Sequence, residues 1–431
     1  MSTSTERLKY PTIQRELIDI AFRAASTSQP DYIAIITRIS EVLRDFLIKK
    51  GRIKSLKKNH TDLWDSFKGK GIAYVDGGVG GVEATIGFTP MAIRVASYYV
   101  APGTPNRRFQ FENQIVEDIS TPGKNSIFAE SWNGADDESD DALKMMVRIT
   151  LESMGLLKCI SREKNSGLKM AFLHGSIVNP VSRYTDTHLP DFSYDKIIDL
   201  LPELDDNSED LKRRTHFVNV YLSVLNKIQD ASIPVAGVVE RKSKTYKLGE
   251  TLLNQMKESG ELNAQICQET ISELKRIKVV DSILMHAVLR EGEYLDFTEV
   301  ERDSGIVGDG NLRAYVDRFP KPLISYLSVS DARLPIRVEL MKRNENENEM
   351  MNYLYHDSLL MSNYFYPLGL CAVDNFVRVT NSSTGKITEL MAMNLLKVAV
   401  AKAINDGNND PIRLVFGHLT GAKRDTFTRP I

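Results

Sequence analysis

Two apolar segments of the sequence are each followed by a polar side chain that could bind a metal, and then by glycine. Ile72–Val75 precedes Asp76 and a glycine-rich run, and Leu168–Leu173 precedes His174 and Gly175. We expect each segment to form a strand that ends at its polar residue, where glycine lets another group approach the backbone. Each motif alone is typical of an ordinary turn or strand end. Together they predict one shared site at a sheet edge.

A glutamate falls within an apolar segment that is predicted to be helical over about residues 141–158. Ile149, Glu152 and Leu156 share one helical face. A buried carboxylate must be paired, protonated or bound to a metal, because an uncompensated buried charge is costly. A salt bridge from Glu152 to Arg148 or Lys158, or emergence at the helix end, is the alternative to a metal role.

A further carboxylate follows a proline turn near the C-terminus, where Tyr366 and Asp374 flank Pro367. Carboxylates with an imidazole are the ligands that divalent-metal phosphodiester chemistry requires, since the metal activates water and neutralises phosphate charge. Oxygen ligands favour Mg²⁺ or Mn²⁺, and an added imidazole shifts the preference toward Mn²⁺. The candidate metal ligands are Asp76, Glu152, His174 and Asp374.

Basic residues form two local clusters that could contact a phosphate backbone. One cluster ends a predicted N-terminal helix, and the other is a loop after a strand predicted at Val235–Val239. A solvated helix end and a solvated sheet edge are the alternatives. The residues are Lys49, Lys50 and Arg52 in the first cluster and Arg241, Lys242 and Lys244 in the second.

Composition limits the class of protein. The 431 residues are 42% apolar, and 55 Lys and Arg against 57 Asp and Glu give a formal charge of -2. This balance excludes a protein that holds polyanions through overall charge. Three widely separated cysteines predict neither a disulfide framework nor a thiolate zinc site and fit a reducing cytoplasm. No apolar run approaches the length of a membrane span.

The order of predicted elements defines the fold class. A helical N-terminal region covers residues 1–70, and residues 71–431 alternate strands and helices, with helical insertions at about 191–230 and 248–330. A short late strand is predicted at Phe376–Val379. Antiparallel strands followed by a helix, a strand, a helical insertion and another strand predict an α/β protein with a mixed, ribonuclease-H-like sheet.

Seven segments, in this order, resemble the motifs of the NurA nuclease family, the DNA-end-processing partners of HerA-type hexameric ATPases. The segments are YVDGG at 74–78, Glu152 in its helix, FLHGSI at 172–177, AGVVERKSK at 236–244, DSILMHAVLREGE at 281–293, IRVEL at 336–340 and YPLGLCAVD at 366–374. They span residues 72–380.

The resemblance implies a ribonuclease-H-like active site in which Asp76 and Glu152 bind metal. It also implies that Tyr366 lies near the metal, that Arg241 and Lys242 lie near DNA, and that the protein is a homodimer working with a HerA-type ATPase. Two positions depart from the family. His174 stands where the family usually has aspartate, and Asp374 stands where it usually has histidine. The two changes can compensate each other if both side chains face one metal.

The leading hypothesis is a metal-dependent DNA nuclease working with a HerA-type translocase. The alternative is a NurA-like adaptor with weakened or lost activity that binds and regulates the ATPase. A third hypothesis is an unrelated ribonuclease-H-like enzyme acting on RNA or on a transposon end. A separation of His174 and Asp374 beyond about 8 Å would favour the adaptor, because ligands lie only about 2.0–2.6 Å from their ion.

Overall fold

A computed structural model describes residues 32–56, 59–81, 90–118, 126–130, 137–181, 189–240, 245–301, 312–379, 381–407 and 410–413. The strands are β1 (Ile53–Ser55), β2 (Gly71–Gly81), β3 (Pro90–Val100), β4 (Arg107–Asp118), β5 (Leu168–His174), β6 (Val235–Val239), β7 (Glu293–Leu295), β8 (Thr298–Glu299), β9 (Leu323–Leu327) and β10 (Ile336–Leu340).

The helices are α1 (residues 32–49), α2 (His60–Phe67), α3 (Asp137–Glu163), α4 (Tyr194–Leu200), α5 (Ser208–Arg213), α6 (Phe217–Gln229), α7 (Lys247–Glu258), α8 (Ala264–Arg276), α9 (Asp281–Val288), α10 (Arg313–Val316), α11 (Glu347–Leu359), α12 (Leu368–Val377) and α13 (Asn381–Asp406). In this part of the chain, no helix is long and apolar enough to cross a membrane. All three cysteines are free thiols, as their spacing predicts.

The described residues form two compact units, each assembled from separate stretches of chain. The smaller unit contains residues 32–58, 239–300 and 324–338, and the larger unit contains the remainder. The sequence prediction placed a single boundary near residue 70. The segment at 248–330, predicted as a helical insertion, also contains β7, β8 and β9.

The larger unit is built on a mixed sheet with the strand order β6-β5-β2-β3-β4. Strands β2, β3 and β4 are antiparallel, whereas β5 runs parallel to β2, and β6 runs parallel to β5. The α/β fold with a mixed sheet is thus confirmed. Its order, an antiparallel meander extended by two parallel strands on the far side of its first strand, is that of the predicted ribonuclease-H-like core.

The first strand of this meander is longer than the sequence predicts. The prediction that the strand ends at Asp76 is wrong, because β2 continues through the glycines to Gly81, which pairs with Met91 of β3. The glycines keep their backbone hydrogen-bonding groups and therefore still pair. The sequence also predicts a strand at residues 83–88, which lie outside the described residues. The third strand of the meander is β4, which the sequence did not predict.

Helix α3 covers one face of this sheet. Its predicted core at 141–158 is confirmed, and fully buried apolar residues such as Leu143, Val147, Leu151 and Met154 recur at helical spacing along it. The helix is longer than predicted. Residues 137–140, which precede its predicted start near residue 141, belong to its first turns.

Helices α11 and α12 are tied to the opposite face of the sheet through Tyr74 of β2. The Tyr74 hydroxyl donates to Asp357 Oδ2 at 2.9 Å and lies 2.7 Å from the Tyr353 hydroxyl oxygen. The Gly369 amide donates to the same carboxylate oxygen at 3.4 Å. A Cβ atom on Gly369 would lie 2.2 Å from the Tyr74 ring, so only glycine permits this approach of α12 to the sheet.

Strand β4 contains a bulge opposite Val95 and Ala96 of β3, where Glu112 is the extra residue. On the α12 side of the sheet, Phe111 stands opposite Ala96. On the α3 side, the side chains of Glu112 and Asn113 both contact residues of α3. The bulge therefore places two consecutive side chains on one face.

The smaller unit packs helices α1, α7, α8 and α9 with the strands β1, β7 and β9. Strand β1 pairs antiparallel with β7, and β7 pairs antiparallel with β9. Apolar residues such as Leu43, Leu252 and Leu284 form the core of this unit. Asp281 caps α7 by accepting from the Leu248 and Gly249 amides at 3.2 and 2.8 Å.

Candidate metal centre

Asp76 lies inside β2, and the parallel pairing of β2 with β5 brings it beside His174. Val75 pairs with Leu173 in this register, so the residues that follow them are neighbours. The Asp76 side chain is 1% exposed. Its Oδ1 atom accepts a hydrogen bond from the Gly77 amide at 2.7 Å. The predicted meeting of these two polar residues occurs, although only β5 ends at its polar residue.

His174 forms a close pair with Asp76, with 2.8 Å between the histidine Nδ1 and Asp76 Oδ2. Its side chain is 20% exposed. Burial opposes the charged imidazolium, but the hydrogen bond and charge of Asp76, followed by the charges of Asp374 and Glu152, raise the pKa of His174 above its ordinary value. Without a metal, a proton held on the imidazole compensates part of the negative charge of the site.

Asp374 reaches the same place from α12, on the other chain segment that meets the sheet here. One ligand atom from each of Asp76, His174 and Asp374 lies within 4.8 Å of the other two. The Asp374 side chain is 39% exposed and pairs with Arg378 at 3.0 Å. The predicted late strand at Phe376–Val379 is wrong, because α12 continues through Val377. This helix, rather than a strand, presents the carboxylate.

Glu152 lies beside this group without belonging to it. Its Oε1 atom accepts from Arg148 Nε at 2.6 Å, and Arg148 Nη2 lies 3.7 Å from Asp76 Oδ1. The salt bridge to Arg148, considered from the sequence, is confirmed. Burial raises the pKa of Glu152 to about 7, and the charge of Asp76 adds to this, whereas Arg148 opposes it. A direct metal role for Glu152 stays a prediction.

The glycine run after Asp76 makes room for two neighbouring elements. A Cβ atom on Gly77 would lie 2.6 Å from Glu152 Cγ, and one on Gly78 would lie 2.3 Å from the Val377 carbonyl oxygen. Larger residues would push α3 and the end of α12 away from β2. The glycines therefore fix both elements against the strand that carries Asp76.

Tyr366 is buried behind His174. Its hydroxyl donates to the Val238 carbonyl oxygen at 2.8 Å, and the same oxygen accepts from the Gly175 amide at 2.8 Å. The Tyr366 and His174 rings have centroids 5.5 Å apart. Tyr366 thus lies near the site, as the family resemblance implies, with its hydroxyl bonded to β6. Its predicted catalytic role stays a prediction.

One buried carboxylate near the site was not predicted. Glu339 of β10 is fully buried and accepts from the Ile177 amide at 3.1 Å and from Ser176 Oγ at 3.3 Å. These two residues belong to the loop that follows His174. An acidic residue inside the apolar strand IRVEL was the available signal, of the same kind as Glu152 in its apolar helix.

The predicted DNA-binding residues divide into two groups. Arg241, Lys242 and Lys244 lie outside the described residues. In the smaller unit, Lys49 pairs with Glu261 at 2.5 Å, and Lys50 Nζ lies 5.8 Å from the centroid of the Phe46 ring. Arg52 donates to the side-chain oxygens of Gln255 and Thr298. Arg52 therefore holds this unit together, and the phosphate-binding role of all six residues stays a prediction.

The geometry of the three converging residues fits a divalent metal. Ligand atoms within 4.8 Å of one another can share one ion at bond lengths of about 2.0–2.6 Å. Two carboxylates and one imidazole are a donor set suited to Mn²⁺, and also to Mg²⁺. The fold and this site together define an α/β protein with a carboxylate–imidazole centre on a ribonuclease-H-like sheet.

The solved structures that are similar to this chain include two of NurA and one of endonuclease V. A crystal structure of NurA with manganese is 13% identical, with a TM-score of 0.42 over 90% of this chain and 99% of that one. A second crystal structure of NurA is 13% identical, with a TM-score of 0.38 over 87% and 98%. The catalytic domain of human endonuclease V is 11% identical, with a TM-score of 0.28 over 84% and 98%. NurA is also the family that the motifs of this chain resemble. No family model and no curated protein matches the chain.

Proposed function

We propose that this protein is a metal-dependent nuclease that hydrolyses phosphodiester bonds in DNA. The observation that carries the proposal is the convergence of Asp76, His174 and Asp374, whose ligand atoms lie within 4.8 Å of one another. These residues come from positions 76, 174 and 374 of the chain, on two strands and a helix. A purely structural polar cluster would not need an exposed opening, yet the Asp374 side chain is 39% exposed.

A bound divalent ion would supply activation of water and neutralisation of charge on the scissile phosphate. Asp76 and Asp374 would hold it through carboxylate oxygens, and His174 through its imidazole. A ligating imidazole must be neutral, so His174 would hold the ion through a ring nitrogen that carries no proton. Arg148 holds Glu152 and Asp76 in place from α3.

The position of His174 and Asp374 favours the enzyme over the adaptor. A separation beyond about 8 Å would have favoured the adaptor, whereas the two ligand atoms lie within 4.8 Å of each other. The exchange of aspartate and histidine relative to the family's pattern therefore keeps both side chains at one place. This supports compensation between the two positions.

The test is cleavage of linear DNA by the purified protein with Mn²⁺ or Mg²⁺. We expect Asp76→Ala and Asp374→Ala each to lose at least about 100-fold in rate, because each removes a proposed ligand. We expect Glu152→Ala to lose activity as well, through the charge next to Asp76. Asp199→Ala, which removes a carboxylate that is 69% exposed on α4, is the matched control and should cleave like the wild type.

Two results would count against this function. Wild-type-like cleavage by folded Asp76→Ala and Glu152→Ala proteins would remove the proposed site. Absence of metal-dependent cleavage in the wild type would favour the adaptor. A parallel assay on RNA distinguishes DNA specificity from the third hypothesis, because an RNA-directed enzyme should prefer that substrate.

We further propose, from the resemblance alone, a homodimer that works in the cytoplasm with a HerA-type hexameric ATPase. Sedimentation of the purified chain tests the dimer. Co-purification with a HerA-type ATPase encoded in the same genome tests the partnership. A monomer at micromolar concentration, or separate elution of the two proteins, would contradict the respective proposal.

A further inference from the structure

The exposed part of the larger unit includes a strip of stacked aromatic rings, formed by Tyr98, Phe109, Phe111 and Phe376. The Phe376 ring centroid lies 4.8 Å from that of Phe109 and 4.6 Å from that of Phe111. The Tyr98 and Phe109 centroids are 4.3 Å apart. The three phenylalanines are 44%, 37% and 37% exposed in chain order. Large rings exposed side by side are unusual on a protein surface and indicate a binding function.

This aromatic strip lies on the same face of the sheet as Asp76. Asp76 stands opposite Ala96 of β3, which stands opposite Phe111 of β4. Residues directly opposite each other in neighbouring strands point to the same face. Two strand spacings separate Asp76 from Phe111, or about 10 Å.

Helix α12 joins the strip to the proposed metal centre directly. Asp374 faces Asp76 and His174, and Phe376, two positions later, contacts the phenylalanines of β4. Residues two apart on a helix point to different sides. One turn of α12 thus contributes a metal ligand on one side and an aromatic ring on the other.

Charge on this face favours a polyanion. Arg94 stands opposite Gly78 in β3, on the same face as Asp76, and Arg107 stands beside the strip at the start of β4. Among the described residues neither arginine has an ion-pair partner. Most other residues of β3 and β4 that share this face are uncharged, and the acidic exception, Asp118, lies at the far end of β4, opposite Pro90.

We propose that the aromatic strip is a base-stacking surface that holds unpaired nucleotides of a nucleic-acid strand next to the metal centre. Rings stack on bases of any sequence, while arginines beside them neutralise the phosphates, which is the chemistry of single-strand binding. A duplex keeps its bases paired and cannot stack them on these rings. This inference rests on the proposed nuclease function and adds the state of the strand that enters the site.

The test is binding measured by fluorescence anisotropy in EDTA, where no cleavage occurs. The probes are a labelled twelve-nucleotide oligothymidine and an abasic oligomer of the same length and charge. We expect the wild type to bind the base-bearing strand roughly 5- to 100-fold more tightly than the abasic strand. The double variant Phe109→Leu, Phe376→Leu keeps apolar side chains and should lose this preference.

Two further variants keep the test decisive. Phe376→Tyr retains the ring and should retain the preference for bases. Leu360→Ala removes an exposed apolar side chain outside the strip and should bind like the wild type. Thermal unfolding of each variant shows that it is folded.

Equal binding of both probes by the wild type, or an unchanged preference in the double variant, would overturn the proposal. A double variant that changes oligomeric state but not base preference would instead assign the strip to an interface between copies of this chain. A preference for bases without metal-dependent cleavage would leave the stacking surface standing and contradict only the nuclease function. Metal-dependent cleavage without a preference for bases would support the nuclease function and contradict the stacking surface.

Discussion

The larger unit contains two clusters of buried charge, both anchored on helix α3, and they are built differently. The first, here called the closed cluster, consists of Ser97, Arg108, Glu112, Arg162 and Glu163. Arg162 donates to Glu112 Oε2 at 2.8 Å and to Glu163 Oε1 at 2.8 Å, and its Nη2 atom lies 2.8 Å from Glu112 Oε1. Arg108 also pairs with Glu163. Ser97 Oγ donates to Glu112 at 2.5 Å. Each buried carboxylate thus has guanidinium partners.

The metal centre and the adjacent Glu152 together carry three carboxylates, and their charge is less fully compensated. Arg148 serves two of them, and the third pairs with Arg378, whose side chain is 62% exposed. The remaining cation is His174, which is charged only while it holds a proton. Burial of charge is common to both clusters. The difference is in what balances the negative charge. In the closed cluster it is balanced by arginines, whereas at the metal centre the balance depends in part on a proton or on solvent, which is the arrangement expected of a cation-binding site.

Breaking the closed cluster should have the largest effect on stability. Arg162→Met removes the partner of two buried carboxylates and should lower the free energy of unfolding by about 3–5 kcal/mol, measured by urea denaturation. The exposed pair formed by Lys196 and Asp199 provides the control, and Lys196→Met should cost less than about 1 kcal/mol. A loss for Arg162→Met as small as that of the control would contradict the contrast between the clusters.

Metal should stabilise the molecule only through the metal centre. Mn²⁺ at about one hundred times its dissociation constant should add about 2.7 kcal/mol to the free energy of unfolding, because the ion binds the folded state. Thermal unfolding with Mn²⁺ and with EDTA measures this difference. Asp76→Asn should abolish the shift, and Arg162→Met should retain it. A full shift in Asp76→Asn would place the ion elsewhere.

Removing Arg148 should make the metal centre more dependent on the ion. Arg148→Met leaves Glu152 and Asp76 without their shared guanidinium, which should cost about 2 kcal/mol in EDTA. Mn²⁺ can compensate this loss, so the stabilisation by metal should exceed that of the wild type. An equal or smaller shift would show that Arg148 assists metal binding rather than substituting for the cation.

Another buried carboxylate, Asp357, has no cationic partner in its hydrogen bonds and gives the smallest expected effect. Burial raises its pKa to about 6, although hydrogen bonds from Tyr74 and Gly369 oppose the shift. Between its ordinary value of 3.8 and about 6, the folded state binds more protons than the unfolded state. Stability from this group is therefore present at low pH and is lost as the pH rises through 6.

Asp357→Asn should remove this dependence while keeping an oxygen acceptor for Tyr74. As the pH rises from 4 to 7, the free energy of unfolding of the variant should increase relative to that of the wild type by roughly 1–2 kcal/mol. Urea denaturation at the two pH values measures the difference. A gap between the two proteins that does not change with pH would mean that Asp357 stays in one protonation state throughout.

The sequence predicted the parts of the site that depend on local pattern. Asp76 and His174 each follow an apolar segment, and parallel pairing of neighbouring strands is enough to bring them together. Glu152 interrupts an apolar helical face, and its partner Arg148 lies one turn away. These features need only the periodicity of a strand or a helix.

The parts that failed depend on tertiary packing. The glycine run after Asp76 has weak intrinsic strand preference, and it is a strand because β3 pairs with it. Residues 376–377 are helical because α12 packs against β2 across Gly78 and Gly369. The sequence did not predict β4 because Phe109 and Phe111 are exposed on it. Its apolar and polar residues therefore do not alternate between a buried and a solvent-facing side.

The bulge at Glu112 lets β4 present exposed aromatic rings on one face and polar side chains that contact α3 on the other. Before the bulge, odd-numbered positions carry the exposed rings, and after it, even-numbered positions occupy that face. Deleting Glu112 would reverse the side-chain alternation on one side of the bulge. Either the exposed rings would then point into the interior that α3 covers, or the Asn113 side chain, which accepts a hydrogen bond from Lys158, would point to solvent. Insertions and deletions at this point of the chain should therefore be far less tolerated than substitutions, a constraint that deep mutational scanning of β4 would reveal.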